Sequence, residues 1–191
     1  RNIFVKTIKK TAMGFLIITV TFLKRLGKRR DYWDYYLEGR KMQILVDADA
    51  FPGVIVDILF RAVERVRVPL ILVSNKHLKV PRSVYISSIT VCAGFDVADN
   101  HIVAMVQQGD LVITADIPLA DRVVEKGGYA IDPRGELYTE ANIKHRLAMR
   151  NLLDELRNGG MITGGPSSFG RKDIQSFAYQ LDRFLTKYCK S

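Results

Sequence analysis

From Met42 onward the chain alternates short apolar runs with amphipathic stretches, the pattern left by strands and helices taking turns. Residues 44–46 form the first predicted strand, and Pro52 at a first helical position opens a helix over 53–66, with Ile55, Leu59, Ala62, Val63 and Val66 at helical spacing. The runs 70–73, 89–92 and 111–114 predict further strands. Helices are predicted over about 98–107 and over 119–126, the second ended by Gly127-Gly128, and residues 129–132 add a last strand. Thr139 is placed as the N-cap of a long helix carrying Asn142, Leu147, Leu152, Leu153 and Leu156, stopped by Gly159-Gly160. A Gly-rich link over 161–170 then leads to a final amphipathic helix over about 172–187. Short strands separated by amphipathic helices imply a mostly parallel sheet with helices on both faces, an α/β/α sandwich.

The first 41 residues do not share this pattern. The apolar run 12–23 lies between Lys9-Lys10 and Lys24-Arg25, yet it is shorter than the ~18–20 residues a membrane span needs and lacks a small-residue cleavage site. Two readings stay open: a segment that attaches to an anionic membrane surface, or a non-native or upstream-translated extension, since Met42 stands where an initiator would sit. Charge sharpens the contrast. Of the formal net charge of +9, residues 1–41 carry +8, leaving the 150 residues of 42–191 almost neutral. The high isoelectric point therefore does not make the body a nucleic-acid binder, and any basic footprint on it must come from local clustering. The organisation expected is an extension over 1–41 and one α/β domain over 42–191. Two cysteines, Cys92 and Cys189, make no disulfide framework, which favours a reducing, cytoplasmic compartment.

Candidate chemistry lies in the acids that follow strands. Asp47 and Asp49 end the first strand, Asp96 and Asp99 follow a second, and Asp116 follows a third, with Asp121 as a weaker member. A parallel sheet places such residues outside its carboxyl edge, where ligands bind. Small neighbours (Ala48, Ala50, Ala93, Gly94, Ala98, Ala115) leave room for one. Carboxylates near one point repel, and a divalent cation relieves the repulsion while acting as a Lewis acid. A site of oxygens without His or Cys suits Mg²⁺ or Mn²⁺, and His77, His101 and His145 show no metal-ligand spacing. Lys76, Lys79 and Arg82 in one loop, Arg134 in another, and Arg171-Lys172 after the Gly-rich link could hold a phosphate backbone. That link is not a Walker loop, because Arg171-Lys172 replaces Lys-Ser/Thr and no strand precedes it.

Five segments in order, Val46-Asp-Ala-Asp-Ala-Phe-Pro, Gly94-Phe-Asp-Val-Ala-Asp-Asn-His-Ile, Ile113-Thr-Ala-Asp-Ile-Pro-Leu-Ala, Pro133-Arg-Gly-Glu-Leu-Tyr-Thr and Thr163-Gly-Gly-Pro, resemble the YaiI/YqxD family of bacterial proteins over 42–191. That family is itself similar to PIN-like nuclease domains. The resemblance implies an α/β/α sandwich with an acidic Mg²⁺/Mn²⁺ site that hydrolyses RNA or DNA phosphodiesters, a fold-level analogy. It places the acidic motifs on Asp47, Asp49, Asp96, Asp99 and Asp116, with Asp47, Asp96 and Asp116 as metal ligands and Asp49 and Asp99 as further ligands or water-positioning bases. Phe51 departs from the family's usual Cys before the proline, which puts the activity of this copy in question if that Cys takes part in chemistry. Two alternatives accompany the nuclease expectation. One is a haloacid-dehalogenase-like phosphohydrolase using Asp47 as nucleophile, Asp49 as general acid, and Ser74, Asp116 and Asp121 to complete the site. The other is a non-enzymatic RNA- or partner-binding module.

Overall fold

The computed structural model describes residues 42–49, 51–161 and 168–189, and Lys41–Ser191 form one compact unit. The extension over 1–41 and most of the Gly-rich link lie outside the described residues. The elements in chain order are β1 (Ile44–Asp47), α1 (Gly53–Val66), β2 (Leu70–Ser74), β3 (Ile86–Thr90), α2 (Val97–Met105), β4 (Leu111–Ile113), α3 (Ile117–Glu125), β5 (Tyr129–Ile131), β6 (Leu137–Tyr138), α4 (Ile143–Asn158) and α5 (Arg171–Tyr188). The strands form one sheet in the order β3-β2-β1-β4-β5-β6. The first five run parallel and β6 pairs antiparallel with β5. The expected α/β sandwich is what the chain adopts.

Alternation along the strands builds two cores. Ile44 and Val46 of β1, Leu70 and Leu72 of β2, and Leu111 and Ile113 of β4 face α1 and α5, where Ile55, Leu59, Val63, Phe177, Leu181 and Phe184 cover them. Leu45, Ile71, Val73 and Val112 face the other way, onto Ile102 of α2 and Leu119, Ala120, Val123 and Val124 of α3. Burial on both faces explains why these strands read as continuous apolar runs.

Several predicted boundaries move. β3 begins at Ile86, three residues before the predicted run, because this edge strand carries Ser87 and Ser88 and is only partly buried. β6, two residues long, has no hydrophobic signature of its own. Thr139 does not cap α4: its N–H donates to Asn142 Oδ1 at 2.8 Å, and the helix starts at Ile143 with Asn142 as N-cap. α3 starts two residues early, at Ile117, with Asp116 as its N-cap.

Candidate acidic site at the carboxyl edge of the sheet

The chain leaves β1 toward β2 and β3, then returns on the opposite side of β1 to β4 and β5. Between β1 and β4 the strand order reverses, and the carboxyl ends at such a reversal are the usual ligand position of parallel sheets. Asp47 closes β1 on the face of Leu45, toward α2 and α3. Its Oδ2 accepts a hydrogen bond from Thr114 Oγ1 at 3.1 Å, and Thr114 Oγ1 in turn accepts from the Asp116 N–H at 3.0 Å. Thr114 is fully buried, so one hydroxyl ties the carboxylate of Asp47 to the backbone of Asp116 after β4. Sequence reading passed over Thr114; its position at a strand end, two residues before an Asp, was the available signal.

Asp116 spends one oxygen on capping α3, Oδ1 accepting from the Leu119 N–H at 3.2 Å. Asp99 stands in the first turn of α2. Its carboxyl is pushed up to about 6, first by burial and then by the negative charges of Asp116, Asp47 and Asp96, with Arg122 offsetting part of the rise. Asp47 is raised by the same means, burial first, then Asp49 and Asp116, against the Thr114 hydroxyl and the Asp49 N–H. Mutual repulsion identifies Asp47, Asp96, Asp99 and Asp116 as one electrostatic group.

Asp49 is drawn to the neighbouring strand. Its Oδ1 accepts from Ser74 Oγ at 2.7 Å and from the Asn75 N–H at 2.9 Å, which ties the loop after β1 to the end of β2. Asp121 is a structural acid: 8% exposed, it lies 2.8 Å from Lys144 Nζ and joins α3 to α4. Among the described residues, no three His, Cys, Asp or Glu side chains stand close enough to hold one ion as placed. The donor chemistry nevertheless fits a hard cation, since four oxygen donors repel one another at a switch point. Asp47, Asp96, Asp99 and Asp116 would be the ligands.

The basic residues divide. Lys76 is exposed just past β2, its N–H bonded to Ser74 Oγ at 3.0 Å, on the acidic edge. Lys79 and Arg82 are exposed on the same loop. That loop must return to the amino edge to enter parallel β3, where Tyr85 O accepts from the Leu70 N–H, and this carries Arg82 away from the acids. Arg134 sits in the β5–β6 turn on the carboxyl edge, 3.1 Å from Asp173 at the start of α5 and over the Phe169 ring. Arg171 and Lys172 are exposed in the same first turn. β5 lies two strands from β1, about 10 Å away at ordinary strand spacing. Phe51 packs against the core shared by α1 and α5, which is what a space-filling substitution at that position does.

A family model for the YaiI/YqxD family matches residues 45–187, the sheet but for Ile44 and α5 but for its last residue. The chain belongs to that family. Relatives named UPF0178 protein match throughout the body. One from Hahella chejuensis is 59% identical over 150 residues, covering 78% of this chain and all of its own length. Another from a Janthinobacterium species is 59% identical over 146 residues, covering 76% of this chain and 97% of the relative. No solved structure matches. Among the described residues no helix is long and apolar enough to cross a membrane.

Proposed function

We propose that the protein is a divalent-cation-dependent phosphodiesterase acting on RNA. The observation that carries this reading is the carboxylate group at the β1/β4 switch point: Asp47 and the Asp116 backbone joined through Thr114, with Asp99 raised by burial and by three like charges. A site that stores repulsion between acids gains most from a cation, and Mg²⁺ or Mn²⁺ bound there supplies a Lewis acid and a more acidic water. Thr114 holds Asp47 in orientation, and the α3 backbone holds Asp116. Asp99, beside Asp96 and Asp116, would complete the oxygen set around the cation. Lys76 on one side and the first turn of α5 with Arg134 on the other flank the acids, where a phosphate backbone would run.

The phosphohydrolase alternative loses support from Ser74. Its hydroxyl is buried and donates to Asp49, so the group that would bind a phosphoryl oxygen is already committed. Incubation of the purified chain with mixed single-stranded RNA, DNA and phosphomonoesters, with Mn²⁺ or with chelator, tests the reading. Strand cleavage that needs Mn²⁺ and disappears in Asp47→Asn is expected. An acyl-phosphate trapped on Asp47, or phosphomonoester turnover alone, would give the alternative its place.

A further inference from the structure

Phe95 is 95% exposed, the most exposed large apolar side chain among the described residues, and it stands directly before Asp96 at the entrance to the acidic group. Single exposed apolar side chains are common on protein surfaces; what sets Phe95 apart is its place beside Asp96 in the acidic group. The backbone around it is built to keep it there. Asp96 adopts a left-handed conformation at φ 56° and ψ 11°, sparsely used by residues other than glycine. Gly94 approaches so closely that a Cβ there would meet Val97 Cγ2 at 2.8 Å. Asp96 is the N-cap of α2, and the Asn100 N–H closes the first helical turn on Asp96 O at 2.8 Å. Phe95 is thus presented from a braced turn, one residue from Asp96 and four from Asp99.

We infer that Phe95 is a stacking platform for an unpaired base next to the scissile phosphate, which makes single-stranded nucleic acid the substrate class of this site. The inference rests on the phosphodiesterase reading of the acidic edge and adds what that reading lacks, a contact with the base. Aromatic rings accept any base by its face, so the platform selects strandedness and not sequence. In a duplex the face of each base is already covered by its neighbours, and the ring has nothing to stack on.

The test uses the full chain and a fluorescently labelled single-stranded oligoribonucleotide of mixed sequence. Binding is followed by anisotropy in Ca²⁺ and cleavage is followed in Mn²⁺. Phe95→Ala should weaken single-strand binding about 5- to 150-fold, the loss of one stacked base, and Phe95→Trp should restore it. Binding of the same strand in a duplex should not change. In cleavage, Phe95→Ala should raise KM and leave kcat close to wild type. A wild-type chain that does not bind single strands, or a Phe95→Ala chain that binds them as well as wild type, overturns the inference. The two readings fail separately. Phe95-dependent binding without any cleavage in Mn²⁺ removes the phosphodiesterase and keeps the platform, whereas cleavage by Phe95→Ala with the KM of wild type removes the platform and keeps the phosphodiesterase.

Discussion

Asp99 holds its proton to about pH 6, against 3.8 for an ordinary aspartate, and the direction of that shift sets a stability profile. Because the folded state binds the proton more tightly than the unfolded chain, the contribution of Asp99 to stability is greatest below about pH 4, falls as pH rises toward 6, and stays reduced above. Asp99→Asn should therefore stabilise the protein at pH 7.5 by about 1 kcal/mol, a figure discounted for the solvent around a half-exposed carboxyl, and should lose that advantage at pH 4. Urea unfolding at the two pH values measures it; an equal effect at both would mean that the acids do not repel. Divalent cations act on the same repulsion. At ten times its dissociation constant, Mn²⁺ should add about 1.4 kcal/mol, read as a rise of roughly 3–6 °C in melting temperature, and Asp47→Asn combined with Asp116→Asn should abolish the rise. The acids that gather here could be named from the sequence because each follows an apolar run. What could not be read was the use each one is put to: Asp49 and Asp121 have the same local signature as Asp47, and only the tertiary neighbours Ser74 and Lys144 separate them. Phe95 escaped notice for the opposite reason, since a phenylalanine in a sequence reads as core.

At the scale of elements, buried strands and the helices between them were legible because burial on both faces leaves an apolar run that no polar residue interrupts. The first helix matches its predicted span because Pro52 marks its start. The edges were less legible. β3 needs only one face apolar, and β6 exists because the β5–β6 turn folds back, a property of Gly135 and not of any hydrophobic pattern. Gly135 takes φ +87°, and a Cβ on it would lie 2.5 Å from the carbonyl carbon of Ser176, so this turn touches the α5 backbone directly. Gly135→Ala should cost more than about 2 kcal/mol, through both the positive φ and the displaced helix, and should shift the urea midpoint accordingly. At the opposite edge of the sheet, Asp110 is 2% exposed; its carboxylate accepts from the Gln43 and Gln107 N–H groups and from the Gln43 amide. Asp110→Ala leaves several buried donors unpaired and should destabilise by about 3 kcal/mol. Because it lies far from the carboxyl edge, any cation response that survives in the folded fraction should keep its wild-type affinity. A weakened affinity would show that the two edges are coupled.

For the whole molecule, the decisive contrast is between the +8 carried by residues 1–41 and the near-neutral body. The described members of both hydrophobic cores lie from Met42 onward, the family match begins at residue 45, and a relative aligned over 150 residues is covered over all of its own length. Removing residues 1–41 should therefore leave a folded protein. Its melting temperature should lie within about 3 °C of the full chain, a change of no more than about 1 kcal/mol, and its Mn²⁺ response should be unchanged, because Asp47, Asp96, Asp99 and Asp116 keep all the partners described for them. The partition of charge predicts one difference. The full chain should bind vesicles containing anionic lipid through the apolar run 12–23 and its basic flanks, and residues 42–191 alone should not bind them, a contrast that flotation measures directly. A truncated chain that unfolds or aggregates would mean that the extension completes the core of the body.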